Sequence, residues 1–356
     1  MTTRRGFLAT LAAASSWPAL SWADAGSPAY LAAAKEPDGG YALFGLSASG
    51  KDRFRIPLPA RGHAATAHPT APEAVAFARR PGTFALVIDC FSGLVIQQLD
   101  APRGRHFYGH GAFVNGGDTL CTTENDIETG EGRIGLWSRS KGYARIGEIA
   151  SGGIGPHDIK ALPGNALVIA NGGILTHPDS GREKLNIETM RPNLTYLDAE
   201  GAIAEQVALD PALHRNSLRH LALGPDGLVA CAFQWEGDSA ETPPLLALHR
   251  RGEALRAVEA PLADRAAMQN YAGSIAIGGS ARHVAITSPR GGRVQVYDLN
   301  GRLTHTVNRA DVCGIGPGAS GFVATDGLGG ILAIEGEAAT PLNHCARAWD
   351  NHLIAI

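Results

Sequence analysis

Arg219-His220-Leu221-Ala222-Leu223-Gly224-Pro225-Asp226-Gly227-Leu228-Val229-Ala230-Cys231-Ala232-Phe233 reads as a short strand, a Pro-Asp-Gly turn and a second short strand. A histidine stands at the start of the first strand. The phrase recurs. Gly109-His110-Gly111-Ala112-Phe113-Val114-Asn115-Gly116-Gly117 leads into Leu120-Cys121-Thr122-Thr123. Pro156-His157-Asp158-Ile159-Lys160-Ala161-Leu162-Pro163-Gly164 leads into Ala166-Leu167-Val168-Ile169-Ala170. A repeating histidine-strand-turn-strand unit is the mark of a repeat architecture.

The repeat has a period. His63, His110 and His157 follow one another at 47 residues. The next step, to His220, is 63 residues, and the excess falls in a long insertion. Four short strands with their turns fill such a period, as in a propeller blade. The third period predicts strands at 112–115, 119–124, 133–139 and 143–149. The fourth (158–162, 166–170, 193–198, 203–209), fifth (220–223, 228–234, 245–249, 254–260) and sixth (274–277, 283–288, 293–299, 302–308) resolve in the same way. Third and fourth strands meet at Gly turns such as Ser49-Gly50, Lys141-Gly142 and Asn300-Gly301.

The ends complement each other. Trp349-Asp350-Asn351-His352-Leu353-Ile354-Ala355-Ile356 has the form of a first strand with its histidine. The stretches 30–35, 41–47 and 52–58 have the form of second, third and fourth strands. The 331 residues from Gly26 to Ile356 hold about seven periods. The predicted fold is therefore all-β, a seven-bladed β-propeller of four-stranded blades. The C-terminal strand is expected to join the N-terminal blade and close the ring, which removes two exposed sheet edges. A pair of β-sandwiches does not predict complementary ends.

Composition agrees with short strands and tight turns: 45 Gly, 21 Pro and 6% aromatics. The net charge of −3 comes without a basic run, which disfavours nucleic-acid binding. The leader Thr3-Arg4-Arg5-Gly6-Phe7-Leu8, the apolar stretch to Leu20 and Ala23-Asp24-Ala25 predict an export signal over 1–25, with one propeller over 26–356 and a periplasmic location. No other run approaches ~20 apolar residues, so no membrane span is expected. Cys90, Cys121, Cys231, Cys313 and Cys345 form no C-x-x-C or C-x-x-C-H, which argues against zinc-ribbon and attached-haem readings. Cys313 and Cys345 are the one candidate disulfide pair.

First strands line the channel of a propeller, so their leading histidines gather at its mouth. These are His63, His110, His157, His220 and His352, from five of the seven blades. Converging imidazoles are candidate metal ligands, or an anion-binding ring; alternatively each pins a neighbouring blade's backbone, as in WD-type blades. The two blades without a histidine present Asn270-Tyr271 and Asp311 in the same phase, as candidate oxygen ligands. The long connections 125–133, 171–193 and 234–244 are expected on the same face. They make Glu124, Asn125, Asn171 and Gln234 candidates for second-shell or open-site groups. His177 and Arg182 are candidate capping residues. A metal-dependent oxidase or oxygenase with Glu124 as proton acceptor is an alternative use of the site, and a scaffold without metal is another. No G-x-S-x-G, P-loop or Rossmann pattern occurs in the required context.

The leader, Phe107-Tyr108-Gly109-His110-Gly111, Thr123-Glu124-Asn125-Asp126 followed by Gly132-Arg133-Ile134-Gly135, and Gly155-Pro156-His157-Asp158 together resemble one bacterial family. Its members are twin-arginine-exported periplasmic proteins of unknown function. They are encoded beside imelysin-type iron proteins and dihaem peroxidase-like proteins. The resemblance implies iron handling in metal acquisition, with iron as the metal and those periplasmic proteins as partners; copper is the alternative metal. It assigns no residue a role.

Overall fold

The computed structural model describes residues 20–79, 84–181, 183–280 and 282–356. The leader's arginines and Arg182 lie outside the described residues. The chain forms seven antiparallel four-stranded blades arranged as a ring. Blade one uses Tyr30–Lys35, Tyr41–Leu46 and Asp52–Leu58. The short C-terminal segments Ala348–Trp349 and Ile354–Ala355 each pair with two residues of Tyr30–Lys35. Blades two to seven follow in chain order. Their innermost strands are Gly62–Ala67, Arg105–Val114, Pro156–Ala161, Asn216–Leu223, Ser274–Gly278 and Val312–Pro317.

Burial falls from the channel outward, and the sequence follows it. Second strands are largely buried because neighbouring blades cover both faces: Val229–Trp235 is buried through its first five residues. Outermost strands show one face to water, and Ala144–Ala150 alternates exposed and half-buried. The core is made between blades. One cluster joins Leu194 and Tyr196 of blade four, Leu218 and Phe233 of blade five, and Ile275 and Ile286 of blade six. Burying a side chain such as Phe233 contributes about 1.5–3 kcal/mol.

The Gly turns behave as expected. Gly50, Gly142 and Gly301 have φ between +67° and +87°, where only glycine is unstrained. The connection expected over 125–133 is shorter, because Thr119–Asp126 and Gly132–Ser138 extend into it. All five cysteines are free, so the Cys313–Cys345 pair is not bonded. Cys313 is buried and its thiol meets the Thr325 and Trp349 carbonyls. Among the described residues no helix is long and apolar enough to cross a membrane.

Candidate metal centre

Four innermost strands carry a histidine, and each has a register shift at or beside it. The shifts fall between Gly62 and Ala65, Phe107 and Gly111, Pro156 and Asp158, and Leu218 and His220. A β-bulge breaks strict alternation and re-aims a side chain, here into the channel. The innermost strand of blade six, Ser274–Gly278, pairs without a shift and brings no histidine. Blade seven has a bulge, but its Gly314 leaves no room: a Cβ there would lie 3.0 Å from Leu353 N and 3.1 Å from His352 C. His352 comes from the segment between the two short C-terminal pairings.

The five rings meet. His63, His157, His220 and His352 form a quadrilateral with ring-centroid sides of 5.6, 4.8, 4.9 and 4.8 Å. His110 lies 5.0, 5.1, 5.9 and 4.8 Å from its four corners. Four imidazoles thus form a closed ring of contacts, and the fifth touches all four. One ligand nitrogen from each of His63, His110 and His352 lies within 4.8 Å of the others, and the same holds for His110, His157 and His220.

The nitrogens are buried and available. His110, His157, His220 and His352 are each 8% exposed or less. His110 Nε2, His157 Nδ1, His220 Nδ1 and His352 Nε2 have no hydrogen-bond partner among the described residues. Burial, reinforced by neighbouring histidines, holds the pKa of His157 and His352 well below the ordinary histidine range. Burial and then His110 push His220 down to about 3. Neutral imidazole is the ligating form.

Asp158 stands behind His110. Its Oδ1 lies 3.2 Å from His110 Nδ1 and also accepts from Lys160 Nζ at 3.0 Å. The Ile159 and Leu221 N–H groups donate to it at 2.8 and 2.9 Å. Burial would push this carboxyl up, but Lys160 and His110 more than offset that and hold it well below the carboxylate range. An ionised Asp158 accepts a hydrogen bond from Nδ1–H, which fixes the tautomer and leaves the Nε2 lone pair available. Gly109 makes the crossing possible. It has φ +98°, and a Cβ there would lie 2.6 Å from the His63 ring.

The rings lie between two cavities. His110, His220 and His352 border a channel cavity of about 440 Å3. On the mouth side, His63, His157 and His220 border a chamber of about 110 Å3. Its other walls are Arg79, Tyr108, Arg219, Gln234, Tyr271 and Asn351. Asn351 donates to the Tyr271 hydroxyl at 3.2 Å, and Gln234 donates to the Ala272 carbonyl.

The other expected residues lie elsewhere. Glu124 is fully buried inside blade three, in a two-point ion pair with Arg145 at 2.8 and 2.9 Å, and accepts from Thr122. It borders neither cavity, so the proton-acceptor role has no geometric support. Asn125 is buried on the same strand, outside the chamber lining. Asn171 donates to the Ser151 carbonyl, Asn193 and Thr195, and braces blade four. Asn270 bonds the Glu241 carbonyl, and Asp311 is exposed. His177 accepts from the Asp179 N–H and is not a chamber residue. Gln234 and Tyr271 are the anticipated polar groups that do reach the mouth.

A family model described as "Protein of unknown function (DUF1513)" matches residues 56–356. Among curated proteins none matches. Among solved structures the chain is similar to Kuenenia stuttgartiensis hydrazine synthase, with a TM-score of 0.57 and 14% identity over 84% of this chain and 93% of that one. At that identity the likeness is one of fold alone.

Proposed function

We propose that this chain, which belongs to the DUF1513 family of unknown function, is a periplasmic protein holding one transition-metal ion on the propeller axis. One observation carries the reading. Buried nitrogens of His110, His157, His220 and His352 lack partners among the described residues, and with His63 these histidines make up two three-histidine groups. A buried, unsatisfied polar atom costs about 1–3 kcal/mol, which a bound ion would remove. Both groups include His110, and one nitrogen lone pair serves one ion, so the expected stoichiometry is one per chain. An uncharged, all-nitrogen donor set suits iron, copper, nickel or zinc and not calcium or magnesium. Iron is our choice from the family resemblance, with copper the alternative. The ion would be cargo in iron handling, exchanged with imelysin-type or dihaem peroxidase-like periplasmic proteins. The test is elemental analysis of exported protein purified without added metal, beside His157→Ala and His220→Ala. Near-stoichiometric metal in the wild type and a marked loss in both variants are expected. Unchanged metal content in both variants removes the proposal.

A further inference from the structure

The chamber beside the histidines has two arginines in its wall. Arg219 is 8% exposed, borders the chamber, and has a buried Nε with no hydrogen-bond partner among the described residues. Its Nη2 reaches Glu236 at 3.3 Å, but Glu236 is shared with Lys184. Arg79, which also borders the chamber, lies 3.6 Å from Asp350, which is shared with Arg61 at 2.7 Å. Arg219 thus brings to the chamber wall a buried guanidinium whose Nε–H has no acceptor among the described residues and whose carboxylate partner is shared. Tyr271 and Asn351 add polar groups to the wall.

His110 and His352 border the channel cavity, His63 and His157 border the chamber, and His220 borders both. An ion held among these rings would therefore lie against the chamber, where a small ligand could reach it. A cation there adds to the local positive potential in a site screened from bulk water.

We infer that a small anion, a carboxylate or oxyanion of about four heavy atoms or fewer, binds in this chamber, held by Arg219 and within reach of the metal when one is bound. This rests on the metal reading above. The size limit follows from the chamber of about 110 Å3, room for about three or four waters at ~30 Å3 each. The anion would complete the coordination shell and lower the net charge of the loaded site. Release of the ion would then be coupled to release of the anion.

Azide is the probe. Protein loaded with Co(II) is titrated with azide while the visible spectrum, which reports cobalt coordination number, is followed; metal content is measured on the same sample. The expected result is one cobalt per chain and a saturable spectral change. In Arg219→Gln, cobalt content stays near one per chain and azide affinity falls at least tenfold. Cobalt uptake by the wild type with no azide-dependent change overturns the inference and leaves the metal site standing. Equal azide affinity in wild type and Arg219→Gln overturns it as well. No cobalt uptake at all overturns the metal reading and this inference with it.

Discussion

Asp158→Asn tests how the metal site is prepared, because the change keeps shape and removes charge. Asp158 accepts from His110 Nδ1, Lys160 Nζ and the Ile159 N–H on Oδ1, and from the Leu221 N–H on Oδ2. An asparagine has one acceptor oxygen. With that oxygen in the Oδ1 place, its amide N–H faces the Leu221 N–H, donor against donor, and one buried bond is lost at about 1–3 kcal/mol. In the reverse orientation its N–H faces His110 Nδ1, which must then accept. His110 Nε2 becomes protonated and cannot ligate. Either way the imidazole loses the carboxylate that raises its basicity. Removing such a partner typically lowers metal affinity 10–100-fold, about 1.4–2.7 kcal/mol. The assay is Co(II) competition against a chromophoric chelator, with a melting curve in excess chelator to confirm the variant is folded. Affinity within twofold of wild type in a folded Asp158→Asn protein would refute this role for the carboxylate.

Gly109→Ala puts a Cβ 2.6 Å from the His63 ring and holds an L residue at φ +98°; strain of about 1–2 kcal/mol and a displaced ligand should appear as a lower melting temperature and weaker metal binding, and normal binding would count against the crowding argument. Glu124→Ala breaks the buried pair with Arg145, so it should cost about 3–5 kcal/mol of stability in a urea titration while metal per folded chain stays unchanged; loss of metal from folded protein would return Glu124 to the site. The chelator-treated protein should lose stability on acidification. His220 is held at about 3 and His157 and His352 are also lowered, whereas in the unfolded chain each titrates near 6.5. Between those values the unfolded chain binds more protons, so stability falls with pH by up to ~1.4 kcal/mol per unit for each such group. Melting temperatures from pH 7.5 to 4.5 check this, and a flat profile would contradict it.

The histidines were legible because repetition exposed them. A 47-residue spacing survives in the chain even where strand sequences diverge, and a propeller places equivalent positions on one axis. Their chemical partners were less visible. Asp158 follows His157 in a phrase that stands out, yet it serves His110 of the neighbouring blade, and adjacency in sequence gives no hint of that. Arg219 and Asn351 each directly precede a ligand candidate. Regular alternation would send them to the opposite side; the bulge between Leu218 and His220 lets Arg219 reach the mouth, and Asn351 lies in the irregular segment between two short pairings, neither of which shows in the sequence. Glu124 misled for the converse reason. Its loop position suggested exposure, but Gly135 opens the space for its carboxylate: a Cβ at that glycine would lie 1.9 Å from Oε1. A glycine facing an acid on the next strand, with Arg145 one strand further out, was the available signal for an intra-blade ion pair.

Anomalous diffraction from crystals of the metal-loaded protein, collected at the metal's absorption edge, addresses the central claim most directly. A single peak per chain on the channel axis, bonded to His110 Nε2 and to nitrogens of the surrounding imidazoles at ~2.0–2.2 Å, is the predicted result. No peak among these rings, with each imidazole instead hydrogen-bonded to the backbone of its own or a neighbouring blade, would contradict it.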